Sequence, residues 1–188
     1  MKVHSKIYVI RKRTNDNNFV QYGFFSTGNL NEKTSKVYAD HCLLTSNQKI
    51  MSDANRMFSY LEQPKTGGGF LKDCKYIIPS PHIVKKEMLQ LIDEEIRQAH
   101  KKKPAAITLK MNSLSDEEMI QKLYEAARAG VQLKLIIRGI FCMYSEHKKF
   151  EVPVRAISIV DEYLEHARVW IFTTGAKRKF IYLRPTGC

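Results

Sequence analysis

The sequence predicts an α/β (α+β) fold in which mixed sheets are flanked by helices. Three observations carry this. Short runs rich in β-branched and aromatic residues recur along the whole chain. Between residues 80 and 138 such runs alternate with long stretches of helical periodicity, and strand–helix–strand order implies parallel pairing through a right-handed crossover. Residues 6–27 read instead as an antiparallel hairpin.

Taken in order, KIYVIRKR (6–13) and FVQYGFFST (19–27) are the two strands of that hairpin, joined by the turn cluster TNDNN. Residues 28–45, polar and without clean periodicity, read as an ordered loop. Ile50, Ala54, Met57, Phe58 and Leu61 recur at helical spacing ahead of Pro64. KTGGGF is a linker by composition, and it divides the chain into 1–70 and 71–188. YIIPS reads as a short strand. The next helix takes Ser80 as its N-cap and Pro81 as its first residue, with Val84, Met88, Leu91, Ile92 and Ile96 buried. AAITLKMN is a strand. A helix follows, with a Ser115/Glu118 capping box and Gly130 as its stop. VQLKLIIRG, PVRAISIV, RVWIF and KFIYLR complete the strands.

Composition narrows the function. Apolar residues make up 44% of the 188, enough for a packed core and against disorder. No apolar run is long enough to span a bilayer and no signal-like stretch opens the chain, so the expected compartment is the bacterial cytoplasm. Cys42, Cys74, Cys142 and Cys188 form no C-x-x-C pair, which argues for reduced thiols over a zinc site or disulfide framework. The formal net charge of +12 favours a polyanionic partner: nucleic acid, a phosphate polymer, nucleotides or an anionic membrane face. Charge alone does not choose among them.

Four features carry candidate chemistry. His4 and Lys6 share one face of a strand, so a nucleophilic nitrogen would stand beside a cation able to hold a phosphoryl oxygen. The same spacing also fits a surface His beside a surface Lys. His166 and Arg168 repeat it at the entry to another apolar strand. In STGNLNEKTSKVY, small residues and Asn can offer backbone N–H groups to phosphate. There Asn29 and Asn31 could position oxygens, Lys33 could neutralise charge and Tyr38 could stack on a base. Arg138 sits at the C-terminal end of a parallel strand, where α/β sheets gather ligands, and calls for an anionic partner there. Gly67–Gly69 is no P-loop, since Phe70 follows rather than Lys-Ser/Thr. His41, His82, His100 and His147 lack partnered spacing.

With these residues in hand, KVHSKIYVIRKR, STGNLNEKTSKVYADHCLLT, ITLKMNSLSDEEMIQKLYEAARAGVQLKLIIRGIFC and RAISIVDEYLEHARVWIF resemble, in order, the C-terminal catalytic half of bacterial polyphosphate kinase. The resemblance covers nearly the whole chain. It implies a phospholipase-D-like fold, with 1–70 as the C-terminal part of a first catalytic domain and 71–188 as a second, related one. It implies reversible transfer of the terminal phosphate of ATP onto inorganic polyphosphate through a phosphohistidine. On that likeness His4 is the phosphorylated residue, and His166 is a second active-site His. Tyr38, Arg138 and His166 contact nucleotide, while Lys6, Asn29 and Arg168 hold phosphate. ATP, ADP and polyphosphate are the implied partners, with no specific nucleic acid. Self-association and peripheral membrane association of the intact protein also follow from the likeness. Mg2+ is the implied cofactor, with ligands upstream of this chain. On that likeness, His4 so near the start of the chain and the divergent end FIYLRPTGC imply a fragment, expected to turn over little by itself.

Two other readings compete. A phospholipase-D-like phosphodiesterase or nuclease would place an acid five residues after the basic one. Here those positions are Arg11 and Thr173. A non-enzymatic basic domain would bind nucleic acid, yet no recognised nucleic-acid-binding pattern appears.

Overall fold

A computed structural model of the chain describes residues 4–63, 69–80, 83–160 and 162–183. The expected hairpin forms first: β1 (Lys6–Arg13) pairs antiparallel with β2 (Phe19–Ser26), with Tyr8 opposite Phe24 and Ile10 opposite Tyr22. The segment expected to be loop contains more structure than its pattern suggests. It holds α1 (Glu32–Ser35), β3 (Tyr38–Ala39) and β4 (Cys42–Thr45), and β4 closes a three-stranded sheet in the order β1-β2-β4. These pieces are two to four residues long, too short for a period to register.

Helix α2 (Gln48–Glu62) starts at Asn47, whose side chain accepts from the N–H groups of Lys49 and Ile50. It buries Met51, Asp53 and Ala54, whereas Phe58 is exposed, so the covered face is rotated from the predicted stripe. Two contacts set the rotation. Met51 fills the space that Gly23 leaves on β2, where an added Cβ would come within 2.3 Å of the methionine methyl. Asp53 turns toward residues 75–77, which lie on the far side of the linker. Met51 is fully buried and has nowhere to retreat. Gly23→Ala is therefore expected to destabilise the fold by about 1–3 kcal/mol, read by chemical denaturation.

The short helix α3 (Gly69–Lys72) runs across the boundary expected after residue 70, and residues 64–68 of the expected linker region lie outside the described residues. YIIPS is not a strand. The N–H groups of Lys75, Tyr76 and Ile77 all point at Asp53 Oδ2, at 2.8, 2.6 and 3.0 Å, and are not available to a ladder. Helix α4 (Val84–His100) starts after Ile83 without a side-chain cap, later than Ser80 predicts; Pro81 lies outside the described residues. Helix α5 (Glu117–Arg128) is capped by Asp116, not Ser115: Asp116 Oδ1 accepts from Met119 N at 2.9 Å. Lys85 on α4 pairs with the same carboxylate and, with that N–H, holds Asp116 below the usual carboxylate range. Gly130 follows the helix at φ 88°, a left-handed position suited to glycine.

Strands β5 (Ala106–Met111), β6 (Gln132–Ile137), β7 (Arg155–Ile157), β9 (Arg168–Phe172) and β10 (Lys179–Leu183) form one sheet in the order β10-β9-β5-β6-β7. The β5–β6 pair is parallel, as the strand–helix–strand pattern predicts; β6–β7 is parallel too, without a helix between them, and β9 and β10 run antiparallel. The core lies between this sheet and its helices: Ile107, Leu109, Leu123, Leu133, Leu135 and Phe172 are fully buried. The third sheet is a single parallel pair, β3 with β8 (Leu164–Glu165). It stitches the two halves of the chain together. Among the described residues, no helix is long and apolar enough to cross a membrane.

Candidate functional site

The β3–β8 pair organises the site. Tyr38 lies opposite Leu164 and Ala39 opposite Glu165, and Leu164 N donates to Val37 O at 2.8 Å. This register brings Tyr38 of the first half to His166 of the second, with ring centroids 5.3 Å apart and planes tilted by 42°.

His166 sits between β8 and β9 and is partly buried. Burial is the largest influence lowering its basicity, followed by the positive charges of Arg168 and Arg138; Asp40 opposes them, and His4 adds to the lowering. The imidazole is thus biased toward its neutral form at neutral pH. The same influences identify its neighbours: Arg138 from the end of β6, Arg168 from the start of β9, Asp40 beside β3, and His4 ahead of β1. His4 is exposed, and Lys6 Nζ lies 3.4 Å from its Nε2.

Six of the predicted residues therefore belong to one place: His4, Lys6, Tyr38, Arg138, His166 and Arg168. Asn29 is exposed on the loop after β2. That loop is shaped from below: buried Thr27 accepts from His41 N at 2.8 Å, donates through its hydroxyl to Asp40 Oδ1 at 3.2 Å, and Gly28 packs against the Asp40 side chain. Asn31 has a different job from the one expected. Its Oδ1 accepts from Lys33 N and Thr34 N and caps α1, so that oxygen is committed to the helix. Arg11, at the position where a phosphodiesterase would carry an acid, stacks over the Phe19 ring at 3.8 Å.

Two residues, Lys110 and Glu165, escaped the sequence reading. Lys110, on the central strand β5, donates to Glu165 Oε2 at 2.5 Å and to Ala167 O at 3.1 Å. It lines a small cavity with Met111, Ile136, Arg138, Ile159 and Glu165. A lysine inside the apolar run ITLKM was the available signal, because a charge in a central strand needs a partner.

Chemically, the arrangement combines a nucleophilic imidazole beside an ammonium, a second imidazole biased to its proton-accepting form, two guanidinium groups and an aromatic face. It suits a dense anion carrying a ring. Among the described residues, no group of three or more His, Cys, Asp and Glu could hold a metal ion.

The chain is similar to known polyphosphate kinases. Residues 1–67 match the model of polyphosphate kinase C-terminal domain 1, and residues 77–185 that of polyphosphate kinase C-terminal domain 2. The polyphosphate kinase of Salmonella typhimurium is 37% identical over 179 residues, covering 95% of this chain and 25% of the relative. That of Escherichia coli K12 is 37% identical over 183 residues, covering 97% and 26%, and that of Vibrio cholerae 38% over 171, covering 91% and 24%. The crystal structure of polyphosphate kinase from Porphyromonas gingivalis superposes with a TM-score of 0.77 at 32% identity, covering 97% of this chain and 29% of that one. The phospholipase-D-like fold implied by the sequence resemblance stands on that superposition. The chain spans about a quarter of the length of the curated relatives it matches. With two consecutive domain models, these identities and this shared fold, the chain belongs to the polyphosphate kinase family.

Proposed function

We propose that these residues form the phosphoryl-transfer part of a polyphosphate kinase, which moves the terminal phosphate of ATP onto inorganic polyphosphate and back. The observation that carries the reading is the convergence on His166, biased to neutrality, of Arg138, Arg168 and the His4–Lys6 pair. In the first step a ring nitrogen of His4 attacks the terminal phosphorus of ATP. The bond to the bridging oxygen breaks, and ADP leaves with the electron pair. In the second, a terminal oxygen of polyphosphate attacks the same phosphorus and the P–N bond breaks, restoring the imidazole. Run backwards, the same two steps make ATP.

Lys6, Arg138 and Arg168 supply the charge neutralisation that such a loose transition state needs. Tyr38 offers a face to the nucleotide, and His166 accepts or returns a proton at the phosphate oxygens. Asn29 adds a polar contact from the loop. We assign residues 1–70 and 71–188 to two related domains that share this site. Magnesium would enter on the nucleotide's phosphates. The described residues offer no ligand cluster for it, so no step is derived through it. The +12 charge suits a polyanionic product, and its binding is expected to weaken steeply with salt.

The test uses the intact protein with terminally labelled ATP. His4→Ala is expected to abolish the acid-labile label. His166→Ala is expected to slow labelling by about 100-fold or more while leaving His4 as its site. Label persisting at full level in His4→Ala overturns the assignment.

A further inference from the structure

We propose that Lys110 is the positioning residue for His166: it grips the chain on both sides of the imidazole and thereby holds the ring against Tyr38. The two acceptors of its ammonium belong to residues immediately before and after His166. One is the side chain of Glu165, the other the backbone carbonyl of Ala167. Lys110 and Glu165 are 19% and 26% exposed, so this is not a solvated surface pair of negligible worth. Ala167 is buried, and its carbonyl needs a donor. On the other side Glu165 is paired through its backbone with Ala39 of β3. The peptide carrying His166 is thus fixed to β5 by Lys110 and to the first half of the chain by β3.

The consequence for the site is geometric. β5 is the central strand of the large sheet and itself carries the fully buried Ile107 and Leu109, which makes it a rigid reference. Lys110 transmits that rigidity to a segment whose own pairing is only two residues long. Without the ammonium, the Glu165 carboxylate would lose its hydrogen-bonded counter-charge and keep only Arg138 across the small cavity, and the Ala167 carbonyl would lose its partner. The catalytic meaning of this grip rests on the role proposed for His166; the grip itself does not.

The test is nuclear magnetic resonance of the chain with labelled histidine and tyrosine rings. The charged groups facing His166 are Arg168, Arg138, Asp40 and His4, with Glu165 adjacent in sequence. In Lys110→Met the lost ammonium and the released carboxylate are expected to move the titration midpoint of His166 upward. The cross-ring contact between His166 and Tyr38 is expected to disappear. Lys110→Met/Glu165→Gln removes the stranded charge: the midpoint should return toward that of the parent while the ring contact stays lost. Lys110→Arg, able to donate to both acceptors, should retain the contact. A double variant that is folded and keeps both the midpoint and the ring contact overturns the proposal, because Lys110 would then only offset Glu165. Should Lys110→Met not fold, the double variant carries the test. Neither readout needs phosphoryl transfer, so a failure of the phosphohistidine reading would leave this result interpretable.

Discussion

Replacing Asp53 by alanine is expected to destabilise the protein by about 3–5 kcal/mol, a loss large enough to unfold a marginally stable domain. Asp53 is 4% exposed on α2, and one of its oxygens accepts three consecutive backbone N–H groups, from Lys75, Tyr76 and Ile77. Alanine would take away the one acceptor that three part-buried donors share, each at a penalty of up to about 1–3 kcal/mol before water or relaxation offsets it. The Asp53→Asn variant keeps a carbonyl oxygen and the volume, so it should recover part of the loss. Urea denaturation of the three proteins reads the series. A loss below about 1 kcal/mol for alanine would mean that water replaces the carboxylate and that the latch between the halves is weak. Cys74 supplies a second reading. Burial first and the Asp53 charge second push its thiol up to about 11, and Asp53→Asn should bring it down.

Glu95→Ala is expected to have a comparable effect, of about 3–5 kcal/mol, with a different pH signature. Glu95 is fully buried in α4. Its Oε2 accepts from Ala106 N at 3.1 Å and its Oε1 from Thr174 N at 2.5 Å, tying the helix to the start of β5 and to the turn after β9. Burial raises its pKa, and the backbone N–H groups only partly counter this. The folded state therefore holds the proton to higher pH than the unfolded chain does. Stability contributed through this group is complete below the ordinary glutamate value and is lost as pH rises through the raised folded value. Denaturation midpoints of the parent should thus carry a downward component in that window which Glu95→Ala lacks. Parallel pH profiles of the two proteins would refute it.

Much of the fold was legible because long elements repeat their pattern often enough to be recognised. The hairpin, α2, α4, α5 and the parallel β5–β6 pair all lie where periodicity puts them, although α4 and α5 begin at other residues than the expected caps. The short elements were not. β3 and β8 are two residues each, and neither has a sequence signal of its own. Each exists because the other is there. YIIPS has the β-branched composition of a strand, but the backbone donors that decide the matter are taken by a carboxylate more than twenty residues upstream.

The site divides along the same line. Residue types and local spacing by themselves determined that His4 stands beside Lys6, that His166 leads into a strand through Arg168, and that Arg138 ends a parallel strand. These are short-range matters of strand geometry. Only the tertiary structure decided that these groups meet, that Tyr38 lies against His166, that the Asn31 oxygen caps a helix, and that Lys110 holds both neighbours of the second imidazole. The physical reason is that a hydrogen bond or an ion pair between distant residues depends on how sheets and helices bring them within about 3 Å, and a linear pattern carries no record of that distance.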